Sequence, residues 1–387
     1  MRRLLILASA IVFVDTMFFS AVAPLLPELA DDLGLSKTAA GVLSGSFAAG
    51  ALAGSIPGGW LAARVGVRPC VIAGLAVMSA SGLAFALASD VVLLDLARFV
   101  QGFASAATWA GALAWLVGMS PRERRGEMIG TALGAAVAGA LFGPVIGGAA
   151  AELGRGPVFG SVALLGVGLI AWALTTPGIP RSSDPSLATF FRSLRDPRIV
   201  AGAWLILVPG AIGGAVSVLV PLRMDDLGAG ATAIAGAFLA AALLEAIVAP
   251  VSGRVSDRRG RLAPIIFGLV AAAIALPLMP LPSEAWLLAL LVIVYAPLIG
   301  TIWSPAMALL SDAAESRGVD QALGFALVNL GWGLGQIAGS AGGARLGEAA
   351  GDATVYIALA ALSAATATFL TGTSRRPQRS NVRPAPP

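Results

Sequence analysis

Residues 253–261 read Gly-Arg-Val-Ser-Asp-Arg-Arg-Gly-Arg, and residues 59–68 read Gly-Trp-Leu-Ala-Ala-Arg-Val-Gly-Val-Arg. A glycine, an arginine and a second glycine recur in the same order in both segments, 194 residues apart, which is half of the 387-residue chain. Both segments lie between long apolar stretches. A duplicated loop between apolar stretches indicates a membrane protein built from two repeats.

Outward from these loops, the chain consists of apolar windows long enough to cross a bilayer. Hydrophobic residues make up 57% of the chain and charged residues only 12%, whereas soluble proteins carry about 25% charged residues. A membrane-crossing helix needs about 20 apolar residues. Such windows occur at residues 4–27, 38–63, 69–89, 91–118, 129–151, 156–176, 199–222, 227–252, 262–283, 285–310, 321–344 and 353–374. The sequence therefore predicts an all-α membrane protein of twelve transmembrane helices.

The longest polar connection, residues 177–198, divides the predicted spans into six plus six. We expect residues 1–176 and 199–374 to form two pseudo-symmetric six-helix bundles, since a repeat of six spans related by an axis along the membrane normal is a known transporter architecture. Residues 177–198 then form a linker and residues 375–387 a tail.

The distribution of basic residues predicts the orientation. Twenty of the 25 lysine and arginine residues fall in the termini and in alternate loops on one side of the membrane. Because cytoplasmic loops carry an excess of such residues, we expect a multi-pass protein of the bacterial inner membrane, with both termini and the linker in the cytoplasm. The net charge of +4 then reflects this bias and not a nucleic-acid partner.

Several classes of chemistry are disfavoured by composition. The chain has no histidine and one cysteine, Cys70, so we expect no metal site, cofactor or histidine-based catalytic pair. Lys37 is the only lysine and follows a serine where a Walker ATP-binding loop needs glycine. Carboxylates remain as the proton carriers within the membrane. A membrane enzyme or a sensor is the alternative from another class, but we expect a non-enzymatic, monomeric protein.

Four motifs point to a family. They are the complete loop at residues 253–261, an Arg-x-x-Gln-Gly segment at 98–102, a Gly-x-x-x-Gly-Pro-x-x-Gly-Gly segment at 139–148, and an acid in the first span, Asp15. In this combination the chain resembles the major facilitator superfamily, and within it the twelve-span drug:proton antiporter group. The first loop copy departs from the family pattern, with Ala63 and Val67 in place of an aspartate and an arginine.

The resemblance implies transport of small solutes by alternating access, coupled to protons, between two bundles around a central cavity. The motif at residues 139–148 is associated with export in the family, which favours efflux of a drug or metabolite by antiport. Proton-coupled symport, importing a sugar, nucleoside or organic acid, remains the alternative.

Charged residues inside the spans are the candidate proton-coupling sites: Asp15, Arg98 and Glu245. An ionised carboxylate at the bilayer centre costs about 2.5–3.5 kcal/mol on the insertion scale, so it persists where it faces a partner or a wet cavity. We expect Asp15 to exchange the proton. Arg98 keeps its charge, and we expect it to tune the proton affinity of Asp15. A structural role for each remains open, and Glu245 is either a second titrating site or an acid facing the gap between the bundles.

Polar and aromatic residues within the spans are candidates for the solute cavity. Helical spacing places several of them on common stripes, although such residues also bond helices to one another. The predicted cavity residues are Phe18, Phe19, Asp95, Gly102, Trp109, Tyr295, Trp303, Asn329, Trp332 and Gln336.

A third set of residues is predicted to govern conformational change. The glycines of the fifth span allow close helix approach, and its proline favours a bend. The loop motifs are expected to form a gate, or only to supply the charge that sets the orientation of the protein in the membrane. This set comprises Gly59, Arg64, Gly66, Arg68, Gly139, Gly143, Pro144, Gly147, Gly148, Gly253, Asp257, Arg258, Gly260 and Arg261.

Overall fold

The computed structural model describes residues 2–120, 125–178, 187–319 and 321–374, and these residues form helices and turns with no strand. In the N-terminal half (residues 2–178) the helices are α1 Arg2–Ser20, α2 Val22–Leu33, α3 Lys37–Val65, α4 Val67–Leu87, α5 Val91–Met119, α6 Arg125–Leu153 and α7 Arg155–Thr175. A short helix, α8 Leu187–Ser193, follows within the predicted linker.

The C-terminal half (residues 187–374) also consists of helices joined by short connections. Its further helices are α9 Pro197–Asp226, α10 Ala231–Arg259, α11 Leu262–Ala275, α12 Ala285–Glu315, α13 Gln321–Ile337, α14 Gly343–Ala350 and α15 Asp352–Ser374. In the described part of the chain, ten segments are long and apolar enough to cross a membrane. The chain is therefore an all-α, multi-pass membrane protein.

Two of the twelve predicted spans differ from expectation. The ninth, predicted over residues 262–283, is a shorter apolar helix that ends after a 3₁₀ turn at Leu276–Leu278. Pro277 and Pro280 lack the amide hydrogen that would continue the α-helical pattern. The eleventh, predicted over residues 321–344, consists of α13, a π-helical segment at Ala338–Gly342, and α14. Periodicity alone does not reveal either interruption.

The first span is also interrupted, between α1 and α2. Ala21 separates the two helices, and its amide donates to the carbonyl of Met17 at 3.1 Å. Pro24 has no amide hydrogen for the carbonyl of Ser20, so the regular pattern of hydrogen bonds is broken at this point. Asp15 lies less than two turns before the break, within the buried part of α1.

Helix ends follow local sequence signals. Ser36, Asp90 and Asp196 precede α3, α5 and α9, and their side chains accept hydrogen bonds from backbone amides of the first turn, as N-cap residues do. The duplicated loop glycines end α3 and α10: Gly66 has φ of 107° and Gly260 has φ of 86°. Side chains other than hydrogen disfavour this backbone region, which explains why glycine recurs at both positions.

Each half has its own hydrophobic core. One cluster of buried residues is formed by helices α1 to α7, joined by Val218 and Ala344 from the other half. A second cluster is formed by residues of α8 to α15. The charged segments 64–68 and 254–261 lie at the same end of the bundle, which we call the arginine-rich end; the other is the opposite end.

Side-chain bonds between the halves lie toward the opposite end. Lys37 pairs with Asp352 at 2.7 Å, and the amide of Thr38 donates to Glu348 at 2.7 Å. Thr232 also donates to Glu152 at 2.9 Å. At the arginine-rich end, the ion pairs seen among the described residues, Arg261–Asp312 and Arg317–Asp196, remain within the C-terminal half. The structure is therefore closed at the opposite end.

Candidate functional site

Asp15 is the buried acid of the N-terminal half. It is 3% exposed, and its Oδ2 accepts hydrogen bonds from Ser105 Oγ at 2.8 Å and Trp109 Nε1 at 2.6 Å. The two donors are one turn apart on α5, so the same helix face supplies both. Oδ1 is buried without a hydrogen-bond partner among the described residues. The carboxyl group is thus held by one oxygen while the other is unsatisfied, an arrangement that permits it to take up a proton.

Arg98 is fully buried next to this site but bonds to carbonyl groups instead of a carboxylate. Nη1 donates to the backbone oxygen of Phe18 at 3.0 Å and to Gln101 Oε1 at 2.7 Å, and Nη2 donates to the backbone oxygen of Phe19 at 3.2 Å. The guanidinium group also lies 4.7 Å from the centre of the Phe47 ring. Arg98 therefore holds the last turn of α1, immediately before the break at Ala21, and acts on Asp15 through space.

Three predicted cavity residues in the N-terminal half make other contacts. Phe18 is 1% exposed and stacks on Phe159 with ring centres 6.0 Å apart, inside the core. Gly102 packs on α3, where an added side chain would overlap the carbonyl of Phe47. Asp95 accepts a long hydrogen bond of 3.4 Å from Ser46 and does not share the surroundings of Arg98. The i, i+3 spacing of Asp95 and Arg98 thus does not bring their polar groups together.

Aromatic residues meet across the two halves near the middle of the bundle. Phe19 of α1 and Trp332 of α13 contact edge to face with ring centres 5.2 Å apart, and Phe19 also contacts Phe47 at 5.2 Å. Both Phe19 and Trp332 are half-buried. On the same helix as Trp332, Asn329 is half-buried and Gln336 is buried near Gly213 of α9. Trp332 and Gln336, two of the predicted cavity residues, therefore face α1 and α9, respectively.

The C-terminal half carries a second acid within a span, Glu245 of α10, which is half-buried. Its carboxylate lies over Gly300 of α12, where an added Cβ would be 2.9 Å from Oε1. Tyr295, also on α12, is 5% exposed, and its hydroxyl has no hydrogen-bond partner among the described residues. Trp303 is half-buried on the same helix. Glu245 thus lies between α10 and α12, within the C-terminal half.

The glycines of α6 lie against α1. An added Cβ at Gly139 would be 3.0 Å from the carbonyl carbon of Phe13, and one at Gly143 would be 2.9 Å from the carbonyl oxygen of Met17. At Gly147 it would overlap the carbonyl oxygen of Ala21. Gly148 faces the other half, with Ala235 of α10 as its neighbour. Pro144 lies inside the continuous helix α6. Most of this motif therefore fits α6 to α1 at the level of Asp15 and the break.

The loop motifs occupy the arginine-rich end. Arg64 lies over the ring of Trp60 at 4.9 Å, Arg68 donates to the carbonyl of Leu174, and Arg261 pairs with Asp312. Of the others, Gly59 is buried, Arg258 is exposed, and Gly253 has open space beside it. The side chain of Asp257 lies outside the described residues, so its predicted part in the gate stays a prediction.

Sequence reasoning did not identify some residues that complete the site. Ser105, Gln101 and Phe47 are not among the candidate site residues named from the sequence. The repeat gives a signal for Gln101. Tyr295 follows Gln101 by 194 residues, as Trp303 follows Trp109, and this is the spacing of the two loop motifs. At that spacing from Asp15 stands Pro209. The acid–indole pair therefore belongs to the N-terminal half alone.

Solved structures with the same fold cover almost the whole chain. A bacterial homologue of the human lysosomal transporter Spinster, in an inward-facing and occupied conformation, has a TM-score of 0.80 at 16% identity, covering 98% of each chain. The xylose transporter XylE from E. coli, partially occluded and inward-open, has a TM-score of 0.77 at 15% identity, covering 96% of this chain and 97% of its own. A POT family transporter in complex with a thioalcohol-conjugated peptide has a TM-score of 0.76 at 14% identity, covering 96% of each chain.

Sequence comparison gives the family directly. Comparison with curated proteins gives no match. The model of the Major Facilitator Superfamily matches residues 8–320, which is most of the chain. The match includes Asp15, the Arg98 segment, the glycines of α6 and both loop motifs. On this match and this fold, the chain belongs to the major facilitator superfamily of membrane transporters.

Proposed function

We propose that this transporter exports a small solute in exchange for protons, and that Asp15 is the group that takes up and releases the proton. The observation that carries the proposal is the one-sided bonding of its carboxyl group: Oδ2 accepts two hydrogen bonds, whereas Oδ1 is buried and unpartnered among the described residues. An ionised carboxylate with one unsatisfied oxygen is costly in the membrane interior. Protonation removes that cost, so two charge states are accessible.

The surroundings of Asp15 connect its charge to the shape of the first span. The Arg98 guanidinium holds the carbonyls of Phe18 and Phe19 and interacts electrostatically with Asp15. When Asp15 takes a proton, Arg98 loses the field of a nearby anion but keeps its bonds to α1. The relative energies of alternative positions of α1 and α2 then change with protonation, as a coupled carrier requires.

Export is supported by the glycine–proline motif of α6, which the resemblance associates with efflux. In the structure this motif seals α6 against α1, beside the proton site, through Gly143 and Gly147. The excess of arginine at one end supports insertion in a bacterial inner membrane with that end in the cytoplasm. In that orientation the bonds between the halves lie on the outer side, which supports entry of the solute from the cytoplasm. We further propose that the protein acts as a monomer, without enzymatic activity.

Reconstitution in vesicles tests both the coupling and the direction. With a pH gradient imposed and a compound panel supplied, export by antiport predicts that solute and protons move in opposite directions. Asp15→Asn is expected to abolish solute-dependent proton flux, because an amide cannot exchange the proton. Asp32→Asn, which neutralises an exposed acid near the end of α2, is the matched control and is expected to retain flux.

Two outcomes overturn the proposal. Solute-dependent proton flux that survives in Asp15→Asn would show that another group carries the proton. Movement of solute and protons in the same direction would replace antiport by symport, the mode of a D-xylose–proton symporter that has the same fold and is 17% identical to this chain.

A further inference from the structure

A cavity of about 310 Å³ lies at the opposite end of the bundle, away from the proton site. The end of α9, the two residues that follow the 3₁₀ turn, α14 and α15 form most of its wall. Met279 and Tyr356, which are 1% and 3% exposed, provide its buried surface. Lys37, at the start of α3, is the contribution of the N-terminal half. The volume of the cavity is at the lower limit of small-molecule sites, and the proposed transport mechanism does not use the cavity.

Four charged side chains line this cavity, and two of them are already paired with each other. Lys37 binds Asp352 at 2.7 Å. The other two, Arg223 and Asp226, are three residues apart on α9 and line the same cavity. Within the described ranges, neither side chain takes part in a hydrogen bond or an ion pair. Arg223 is half-buried and Asp226 is exposed, so the cavity presents one free cation and one free anion to a ligand.

This arrangement selects a ligand by charge. A simple anion would pair with Arg223 but would lie close to Asp226, and a simple cation would have the reverse conflict. A guanidinium group binds a carboxylate through two parallel hydrogen bonds, and a free carboxylate accepts from an ammonium group. We propose that this cavity binds a small zwitterion, such as an α-amino acid, with its carboxylate on Arg223 and its ammonium group on Asp226.

Binding at this cavity is linked to the conformation of the transporter. Lys37 belongs to the N-terminal half, and its partner Asp352 to the C-terminal half. The cavity therefore has all its walls only while the opposite end is closed. A ligand that prefers this complete cavity stabilises the closed arrangement in proportion to its differential affinity. Zwitterions supplied at the opposite end are thus expected to slow turnover without competing at Asp15.

Thermal unfolding of the purified full-length protein tests the binding step without relying on transport. Glycine, L-alanine and L-leucine serve as zwitterionic probes, with acetate and methylammonium as single-charge probes at the same ionic strength. We expect a saturable rise in the unfolding temperature with at least one zwitterion, and none with the single-charge probes. Arg223→Gln and Asp226→Asn are each expected to weaken the response by about tenfold, as loss of a hydrogen bond between charged groups implies.

Matched variants keep the test specific. Asp225→Asn and Arg345→Gln remove charges of the same sign that do not line the cavity, and they are expected to respond as the unmodified protein does. Asp15→Asn should also respond normally, which separates this site from the proposed proton coupling. The proposal is overturned if no zwitterion produces a saturable shift, if acetate or methylammonium acts equally well, or if both cavity variants respond with unchanged affinity.

Discussion

The indole nitrogen of Trp109 lies 2.6 Å from Oδ2 of Asp15, and it is one of two donors to the same carboxylate oxygen. Because Trp109 and Ser105 are both on α5, the carboxyl group of α1 is held entirely from one neighbouring helix. Any movement of α1 relative to α5 therefore changes the environment of the proton site. Transport and protonation are expected to respond together to changes at this contact.

Replacing Trp109 by phenylalanine tests this relationship. The variant keeps an aromatic ring but removes the donor, and a hydrogen bond to a charged group contributes about 1.5–3 kcal/mol. We expect the ionised state of Asp15 to become less favourable and proton-coupled transport in vesicles to fall by about tenfold or more. Trp60→Phe, which alters an indole beneath Arg64 at the arginine-rich end, is the control. Equal transport by the two variants would contradict the assigned role.

Replacing Arg98 by lysine separates charge from geometry. Lysine retains the positive charge, but its single nitrogen cannot reproduce the planar fork that reaches Phe18, Phe19 and Gln101. We expect at least a tenfold loss of transport together with a lower unfolding temperature. Arg345→Lys, at an exposed arginine of α14 outside the candidate sets, should have little effect on either measurement. If Arg98→Lys transports normally, charge alone is sufficient and the hold on α1 is unimportant.

Adding a methyl group to α6 tests its fit against α1. At Gly143 a Cβ would lie 2.8 Å from Ser20 Cβ and 2.9 Å from the Met17 carbonyl oxygen, so the helices must separate. Overpacking of this kind costs about 1–3 kcal/mol, and we expect Gly143→Ala to lower the unfolding temperature and reduce transport. Gly134→Ala, on the same helix with no neighbour within 4 Å, is the matched control. Its higher helix propensity should leave stability unchanged or slightly increased.

A disulfide across the opposite end tests alternating access. A Cβ placed at Gly45 lies 3.9 Å from Ala341 Cβ, within the range of 3.5–4.5 Å found in disulfides. The nearest obstacle is the terminal oxygen of Ser340, at 2.8 Å. In a Cys70→Ala background, we expect oxidised Gly45→Cys/Ala341→Cys protein to stop transporting and to recover after reduction. Each single-cysteine variant should remain active under the same oxidant. Full transport by the cross-linked protein would mean that this end need not open.

The same cysteine pair reports how closure depends on Glu348. The side-chain hydrogen bond from Thr38 is the main cause that holds the pKa of Glu348 below its usual value. The stabilising contact of the ionised Glu348 with Thr38 is therefore fully present above the usual pKa of a glutamate, and it is lost as the pH falls through the lowered pKa. Between pH 5 and 8, we expect Glu348→Gln to slow cross-linking by a constant factor relative to the parent pair. A factor that varies strongly within this window would show that Glu348 titrates there and would contradict the assigned contact.

The sequence predicted the fold class well because lipid imposes strong conditions on composition. Long uncharged windows, alternating arginine-rich loops and a duplicated glycine pattern each reflect a physical constraint that acts on single segments. Asp15 is a candidate for the same reason, since a charged residue is rare within an apolar span, and its role as proton carrier stays a prediction. The recurrence of glycine at positions 66 and 260 is explained by their positive φ angles, which other residues rarely adopt, whereas their part in a gate stays a prediction.

The side-chain partners were less predictable, because they depend on which helices meet. Phe18 and Phe19 are adjacent in sequence, yet Phe18 lies in the core of one half while Phe19 meets Trp332 of the other. Arg98 was expected near a carboxylate but bonds to backbone carbonyl oxygens. Every residue has such an oxygen, so the sequence does not indicate which of them an arginine will bind. The ion pair between Lys37 and Asp352 joins residues 315 positions apart, and no local pattern announces it.

The π-helical segment at Ala338–Gly342 has a consequence for the register of everything that follows it. An α-helix advances by about 100° per residue, and a π-bulge accommodates one additional residue, so α14 is rotated by about that angle relative to a simple continuation of α13. This offset turns Glu348 toward Thr38 of the N-terminal half. A chain shortened by one residue within the segment would form an ordinary helix there and would aim Glu348 elsewhere. One additional residue thus sets the rotation of α14 about its axis, and with it the face of α14 that contacts the N-terminal half.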